Sequence, residues 1–163
     1  MLLRILPINR IGKLTLLSQK AKYALRALLM LARQPQGEMI LVGDIAEEQN
    51  VPRKFLELIL LELRKHGLLF SQRGRNGGYT LARPPAAITF GQVVRIMDGP
   101  IAPLPCASIT GYRRCADCQD EKTCEIRKVM RSVRDAMAEI LDRTSLADAA
   151  EGRVDADVTA LAS

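Results

Sequence analysis

Tryptophan is absent from this chain and aromatic residues make up 4% of it, which argues against a stacking platform for single-stranded nucleic acid. There is one histidine, His66. It ends a helical stretch just before Gly67, where it can satisfy terminal carbonyls, and it stands far in sequence from the cysteines. No apolar run approaches the ~18 residues a membrane span requires. Neither a nucleophile–base arrangement nor a phosphate-binding loop is present, so nothing supports an enzyme. The opening MLLRILPINRIGKLTLL carries leucines and charge, but Pro7, Asn9 and Arg10 interrupt any apolar core and no small-residue cleavage site follows. A cytoplasmic chain without membrane association is expected, with residues 1–14 as a flexible extension.

The charge that is present is lopsided. Residues 1–90 hold 14 Lys and Arg against 6 Asp and Glu, whereas residues 91–163 hold 10 against 12. A basic first half beside a near-neutral second half suggests a polyanion-binding module joined to something else. The chain of 163 residues, 48% hydrophobic and 26% charged, is long enough to bury a core without staples.

Helical periodicity begins after Ser18, a suitable N-cap, with Ala21, Ala24, Leu25, Leu28, Leu31 and Ala32 on one face. Pro35 and Gly37 stop it. A short helix near VGDIAEEQ, the turn Asn50-Val51 and a third helix opening at Pro52 give the outline of a helix-turn-helix. Leu56, Ile59, Leu60 and Leu63 form the inner face of that third helix, and Gly67 ends it. LLFSQ and YTLAR then read as two strands around RGRNGG, where Gly74, Gly77 and Gly78 supply the positive φ a hairpin needs. A basic hairpin directly after a helix-turn-helix is the winged-helix arrangement.

This outline nominates a duplex DNA interface. Arg53 and Lys54 sit where the recognition helix starts, an end that favours phosphate. Glu57, one turn on, can accept from a cytosine amine. In the wing, Arg73 and Arg75 flank Gly74 beside Asn76, suited to phosphate or a narrow minor groove. Lys20, Lys22, Tyr23 and Arg26 of the first helix would contact backbone phosphate and position the protein without reading bases. The bland reading is a set of solvated charges, and Tyr23 in particular could simply pack in the core.

Thr89 caps a short helix with Phe90, Val93, Val94 and Met97 inward, and Gly99-Pro100 ends it. All four cysteines then fall in one stretch, Cys106, Cys115, Cys118 and Cys124, at spacing Cys-x8-Cys-x2-Cys-x5-Cys. Clustered thiols beside Arg113, Arg114 and Lys122, which lower thiol pKa, point to metal chemistry rather than a disulfide scaffold. Four thiolates suit tetrahedral zinc or an iron–sulfur cluster. Zinc usually takes two paired knuckles and only one Cys-x2-Cys exists here, which tilts the reading toward iron. Four unligated or redox-active thiols are the bland alternative. Beyond Cys124, EIRKVMRSVRDAMAEILDR carries Ile126, Val129 or Met130, Val133, Ala136 or Met137, and Ile140 on one near-heptad stripe.

SQKAKYALRALLMLA, PRKFLELILLELRKHGLLFSQRGRNGGYTLARPPAAITFGQVV, a cysteine loop, a long helix and TSLADA together resemble the Rrf2 family of bacterial transcription regulators over about residues 15–150. The segment RGRNGGYTLARPP is highly specific. The resemblance implies a dimeric winged-helix DNA binder in which the long helix pairs with its copy and the loop can hold an iron–sulfur cluster, 2Fe-2S or 4Fe-4S. By position Cys118 and Cys124 match the family's last two cysteine ligands. Its first cysteine would fall at Tyr112, so Cys115 or Cys106 must substitute. A histidine ligand of the family falls at Arg127, and an aspartate ligand at Lys22.

The expected fold is mainly α with a small β wing: a winged helix-turn-helix over 15–98, a cysteine-rich loop over 99–124, a dimerisation helix over 125–150 and a flexible tail over 151–163. The expected function is a homodimeric operator-binding regulator, a repressor, paired through residues 125–143. Its DNA affinity would follow an iron–sulfur cluster or thiol state at Cys106, Cys115, Cys118 and Cys124. Alternatives are a zinc-stapled or cluster-free regulator of the same fold, or a protein-interaction module acting through the long helix. A small electron carrier is disfavoured, having no need of a wing.

Overall fold

A computed structural model describes residues 17–74 and 77–153. The extension 1–14, the wing-tip residues Arg75 and Asn76, and the tail from 154 onward lie outside the described residues.

Among the described residues six α-helices and one hairpin occur, the first five helices and the hairpin in the expected order. Helix α1 spans Gln19–Ala32. Ser18 caps it, its Oγ accepting from the Ala21 N–H at 3.0 Å, which satisfies one of the amides a helix start leaves open. Helix α2 is Val42–Glu48 and α3 is Arg53–Lys65. Between them Asn50 adopts φ 49°, a left-handed conformation that asparagine tolerates better than most residues. That single residue turns the chain so that the Val51 N–H reaches the Ala46 carbonyl at 2.9 Å. Gly67, at φ 70°, ends α3 with the left-handed residue typical of a helix C-terminus.

Strands β1 (Leu69–Gln72) and β2 (Gly78–Leu81) pair antiparallel, Leu69 opposite Leu81 and Gln72 opposite Gly78. Ile40, in the segment before α2, bridges the other edge of β2: it exchanges N–H···O bonds with Tyr79 at 2.8 and 3.0 Å. Gly78 is required here twice over. Its φ is 145°, and a Cβ on it would lie 2.4 Å from the Ile40 carbonyl oxygen.

Helix α4 is Phe90–Asp98, capped by Thr89. A one-turn 3-10 helix at Pro105–Ala107 precedes the cysteine loop, α5 runs Glu125–Arg143 and α6 is Leu146–Ala150. The core is aliphatic, with Leu28, Ile45, Leu56, Ile59, Leu60, Leu63, Leu68, Ile88 and Val93 all fully buried. Small side chains at Ala21, Ala24 and Ala27 let α1 sit close to its neighbours α3 and α4.

The chain beyond α5 returns to this core. Leu146 is fully buried in it, and the backbone pairs Phe90 with Thr144 and Leu146 with Ile88 at 2.9 Å each. Both ends of α5 are thereby anchored, one in the cysteine loop and one in the winged-helix unit. Among the described residues no helix is long and apolar enough to cross a membrane.

Candidate functional site

The basic surface is built by α1, α3 and the hairpin. Arg53, Lys54, Lys22 and Arg73 are exposed, as an interface for phosphate requires. Arg53 is also ion-paired through Nε to Glu57 Oε1 at 3.1 Å, an i,i+4 pair on the open face of α3. That pairing pre-sets the Glu57 carboxylate on the side of the helix that faces away from the core.

The other residues of α1 have intramolecular roles. Lys20 Nζ lies 2.6 Å from Glu62 Oε2, joining α1 to α3. Arg26 donates to the Gln49 carbonyl at the end of α2. Tyr23 is half-buried and meets Phe55 edge-to-face, ring centroids 5.8 Å apart, an arrangement aromatic pairs prefer. Of the four α1 candidates, Lys22 and Arg26 are exposed and in no ion pair among the described residues, and Arg26 is engaged by the Gln49 carbonyl. One residue of α3 escaped the sequence reading: Leu58, 63% exposed beside Glu57. The signal was available, because Leu58 falls off the 56/59/60/63 stripe and so has no core to face.

The four cysteines line one cavity of about 470 Å³, shared with Leu104, Ile126 and Arg127. Cys106 is buried in the 3-10 turn and the other three are half-buried; all four are free thiols. Cys124 is the N-cap of α5. Its thiol is held below the ordinary cysteine value, chiefly by the Arg127 backbone N–H and then by a hydrogen bond with Cys118. Cys118 shifts the opposite way, raised by desolvation and by its neighbour Cys124. The helix N-terminus thus favours the thiolate at one member of the pair.

Among the described residues, no three His, Cys, Asp or Glu side chains are gathered closely enough to hold a metal ion as they stand. The donor chemistry nevertheless fits a thiolate-bound group: four cysteines line one cavity, with Arg127 in its wall to offset thiolate charge. His66 is the C-cap of α3 and does not line that cavity.

Tyr112 and Arg127, marked in the sequence only as departures from a pattern, are brought together. The Tyr112 hydroxyl lies 2.6 Å from both Glu121 carboxylate oxygens, which raises its pKa. The Arg127 guanidinium carbon is 6.0 Å from the Tyr112 ring centroid.

At its far end α5 is joined to α4 by a two-pronged pair, Arg95 Nη1 and Nη2 to Asp142 Oδ1 and Oδ2 at 2.5 and 2.8 Å. Gly91 makes room for it, since a Cβ there would lie 1.9 Å from Asp142 Oδ1. The pair holds the Asp142 carboxyl below its ordinary value. Its contribution is therefore present above the unfolded carboxylate pKa and lost as pH falls through the lower, folded one. Gly91→Ala is expected to cost about 1–3 kcal/mol by overpacking and to flatten that acid-side loss of stability. Urea midpoints from pH 7 down to pH 3 check both; a variant with the wild-type profile contradicts the assignment.

A family model for Rrf2, described as an iron-dependent transcriptional regulator, matches residues 17–152. The chain is 45% identical to a protein named as an rrf2-like HTH-type transcriptional regulator from Rhodobacter capsulatus, over 82% of this chain and 91% of that one. Among solved structures it is similar to CymR, described as the global cysteine regulator of B. subtilis, with a TM-score of 0.68 at 34% identity over 83% of this chain and 95% of that one. It is also similar to T. potens IscR, TM-score 0.66 at 29% identity, over 83% and 86%.

Proposed function

From the premise that the chain belongs to the Rrf2 family of DNA-binding transcription regulators, we propose that it is a homodimeric repressor whose affinity for a double-stranded operator is set at the 106–124 loop. The carrying observation is that Cys106, Cys115, Cys118 and Cys124 all line one cavity at the N-terminus of α5. The same helix leaves an apolar stripe open to solvent in the single chain, Ile126 67%, Val129 57% and Val133 39% exposed. A stripe of that kind on a charged helix is explained by a two-fold partner.

In this reading Arg53, Lys54, Lys22, Arg73 and Arg75 neutralise phosphates, with Asn76 at the wing tip. Glu57 and Leu58 face base edges, the carboxylate toward a cytosine amine and the leucine toward a thymine methyl. Lys20, Tyr23 and Arg26 act indirectly, holding α1 against α3 and α2. Residues 15–98 are the DNA-binding unit, 99–124 the sensing loop and 125–143 the dimer seam.

The loop would hold an iron–sulfur cluster on its four cysteines, and a bound cluster supplies a centre that responds to redox state and to small reactive ligands. The family description as iron-dependent supports iron over zinc. What the chain itself does is relay position. Cys124 caps α5, Asp142 at the other end grips Arg95 of α4, and α4 packs on α1 beside the recognition helix. A shift of the loop therefore alters how the two recognition helices are spaced, and the operator favours one spacing.

The test is anaerobic purification followed by visible absorption and iron, sulfide and zinc analysis. Ser at 115, 118 or 124 is expected to abolish cluster absorption, whereas Cys106→Ser leaves a labile cluster. Stoichiometric zinc without sulfide, or protein free of both, overturns the cluster reading and leaves a cluster-free regulator of the same fold.

A further inference from the structure

Helix α5 buries a single side chain, and that side chain is an arginine. Arg134 is 8% exposed. A charge so shielded needs partners, and it has two: Nη1 donates to the Ala107 carbonyl at 2.5 Å, and Nε donates to Asp135 at 2.8 Å. Seven residues earlier, on the same face, Arg127 donates through Nε to the Cys106 carbonyl at 2.8 Å. Two guanidinium groups one heptad apart thus hold two consecutive carbonyls of the Pro105–Ala107 turn. Carbonyls at the end of so short a helix have no successor amides to accept from, so the arginines complete them.

The turn they hold is not a bystander. Cys106 lines the cysteine cavity while its carbonyl accepts from Arg127, so one residue touches both the cavity and the dimer helix. Arg127 also lies over Tyr112 and approaches the Glu121 carbonyl at 3.5 Å, which ties the middle of the loop to the same side chain. Cys124, the remaining attachment, is covalently continuous with α5. The exposed stripe at Val129 and Val133 is on the turns between and beside the two arginines.

We propose that Arg127 and Arg134 are positioning residues forming a two-point clamp, through which the occupancy of the cysteine cavity sets the placement of α5. This rests on the regulatory reading above and adds the part that carries it. Neither arginine is a ligand. Their work is mechanical: they make the loop and the dimer helix move as one body rather than as a helix with a slack tether. Removing them leaves four thiols able to load and a dimer able to form, but uncouples the two.

The experiment uses the full chain in four forms: wild type, Arg127→Gln, Arg134→Met and, as the conservative variant, Arg134→Lys. Hydrogen exchange of residues 104–113 is measured in cluster-free protein. Operator affinity, on a duplex selected from a random library by the wild type, is measured for cluster-loaded and cluster-free forms. In Arg127→Gln and Arg134→Met the loop is expected to exchange about tenfold faster or more, as local opening becomes easier. Iron and sulfide content should match wild type, while the loaded-to-free affinity ratio falls toward one. Arg134→Lys should restore part of that ratio, since an ammonium can still donate to Ala107. Unchanged exchange, or a full ratio without the clamp, overturns the proposal. Arg127 is half-buried, so its variant keeps the test alive if Arg134→Met does not fold. A wild type with no cluster, or with equal affinities, retires the cysteine-site reading instead, and the exchange data still judge the clamp.

Discussion

Val133→Glu is expected to sediment as a monomer at micromolar concentration and to lose operator affinity by about two to four orders of magnitude, the scale of losing a linked second site. Val133 is 39% exposed in the single chain, and Ile126 and Val129 are more so, so the substitution spares the protomer's own core. In a two-fold seam it places two unpaired carboxylates where apolar side chains meet. Burying a charge without a partner costs about 3–5 kcal/mol, and the symmetry applies it twice. Met137, half-buried within the protomer, is a less clean probe because its loss also disturbs the fold. Thermal unfolding at low protein concentration separates the two effects. Wild-type protein that sediments as a monomer, or a Val133→Glu dimer with full operator affinity, rules the seam out.

Arg53→Ala, Lys54→Ala and Arg73→Ala combined are expected to remove most duplex affinity at 150 mM salt. Each lost phosphate contact should also lower the slope of log affinity against log salt by about 0.9. The effect should be equal on random and selected duplex, because phosphate contacts carry no sequence information. Glu57→Ala and Leu58→Ala should do the opposite, relaxing base preference at a cost of about 1–3 kcal/mol on the selected site while leaving random duplex unchanged. Fluorescence anisotropy across a salt series checks all five substitutions. Affinity on both duplexes that survives the triple change would place the interface elsewhere.

Features set by local chemistry were readable before the fold was known. Ser18 and Thr89 cap their helices as their side chains suggest, and Leu56, Ile59, Leu60 and Leu63 face inward because helical period and burial agree. The long helix begins directly after Cys124 but ends at Arg143, short of the expected 150. Thr144 is extended, and a separate helix, Leu146–Ala150, capped by Ser145, returns to the core.

What was not readable depends on groups distant in sequence. Lys20 and Arg26 read as phosphate contacts, and nothing in the sequence pointed to the partners the fold supplies them, Glu62, 42 residues on, and the Gln49 carbonyl, 23 residues on. Ile40 bridges β2 only because the fold brings two unrelated segments together. The return of Leu146 to the core is of the same kind. The roles of Arg127 and Arg134 were not readable either, since nothing in α5 announces that a turn ending at Ala107 lies against it. The cysteine spacing suggested a shared site; all four cysteines line one cavity, yet among the described residues no three ligand side chains are gathered closely enough to hold a metal ion. The order in which thiols close on a group is not encoded in spacing.

The most direct measurement takes one anaerobic preparation, divides it, strips the cluster from one half and titrates both with the same selected duplex. The account predicts two affinities at least tenfold apart, with the stripped half returning to the first value on reconstitution and Cys124→Ser fixed at the stripped value throughout. A single affinity for both halves, with full cluster content verified in the untreated one, would contradict it.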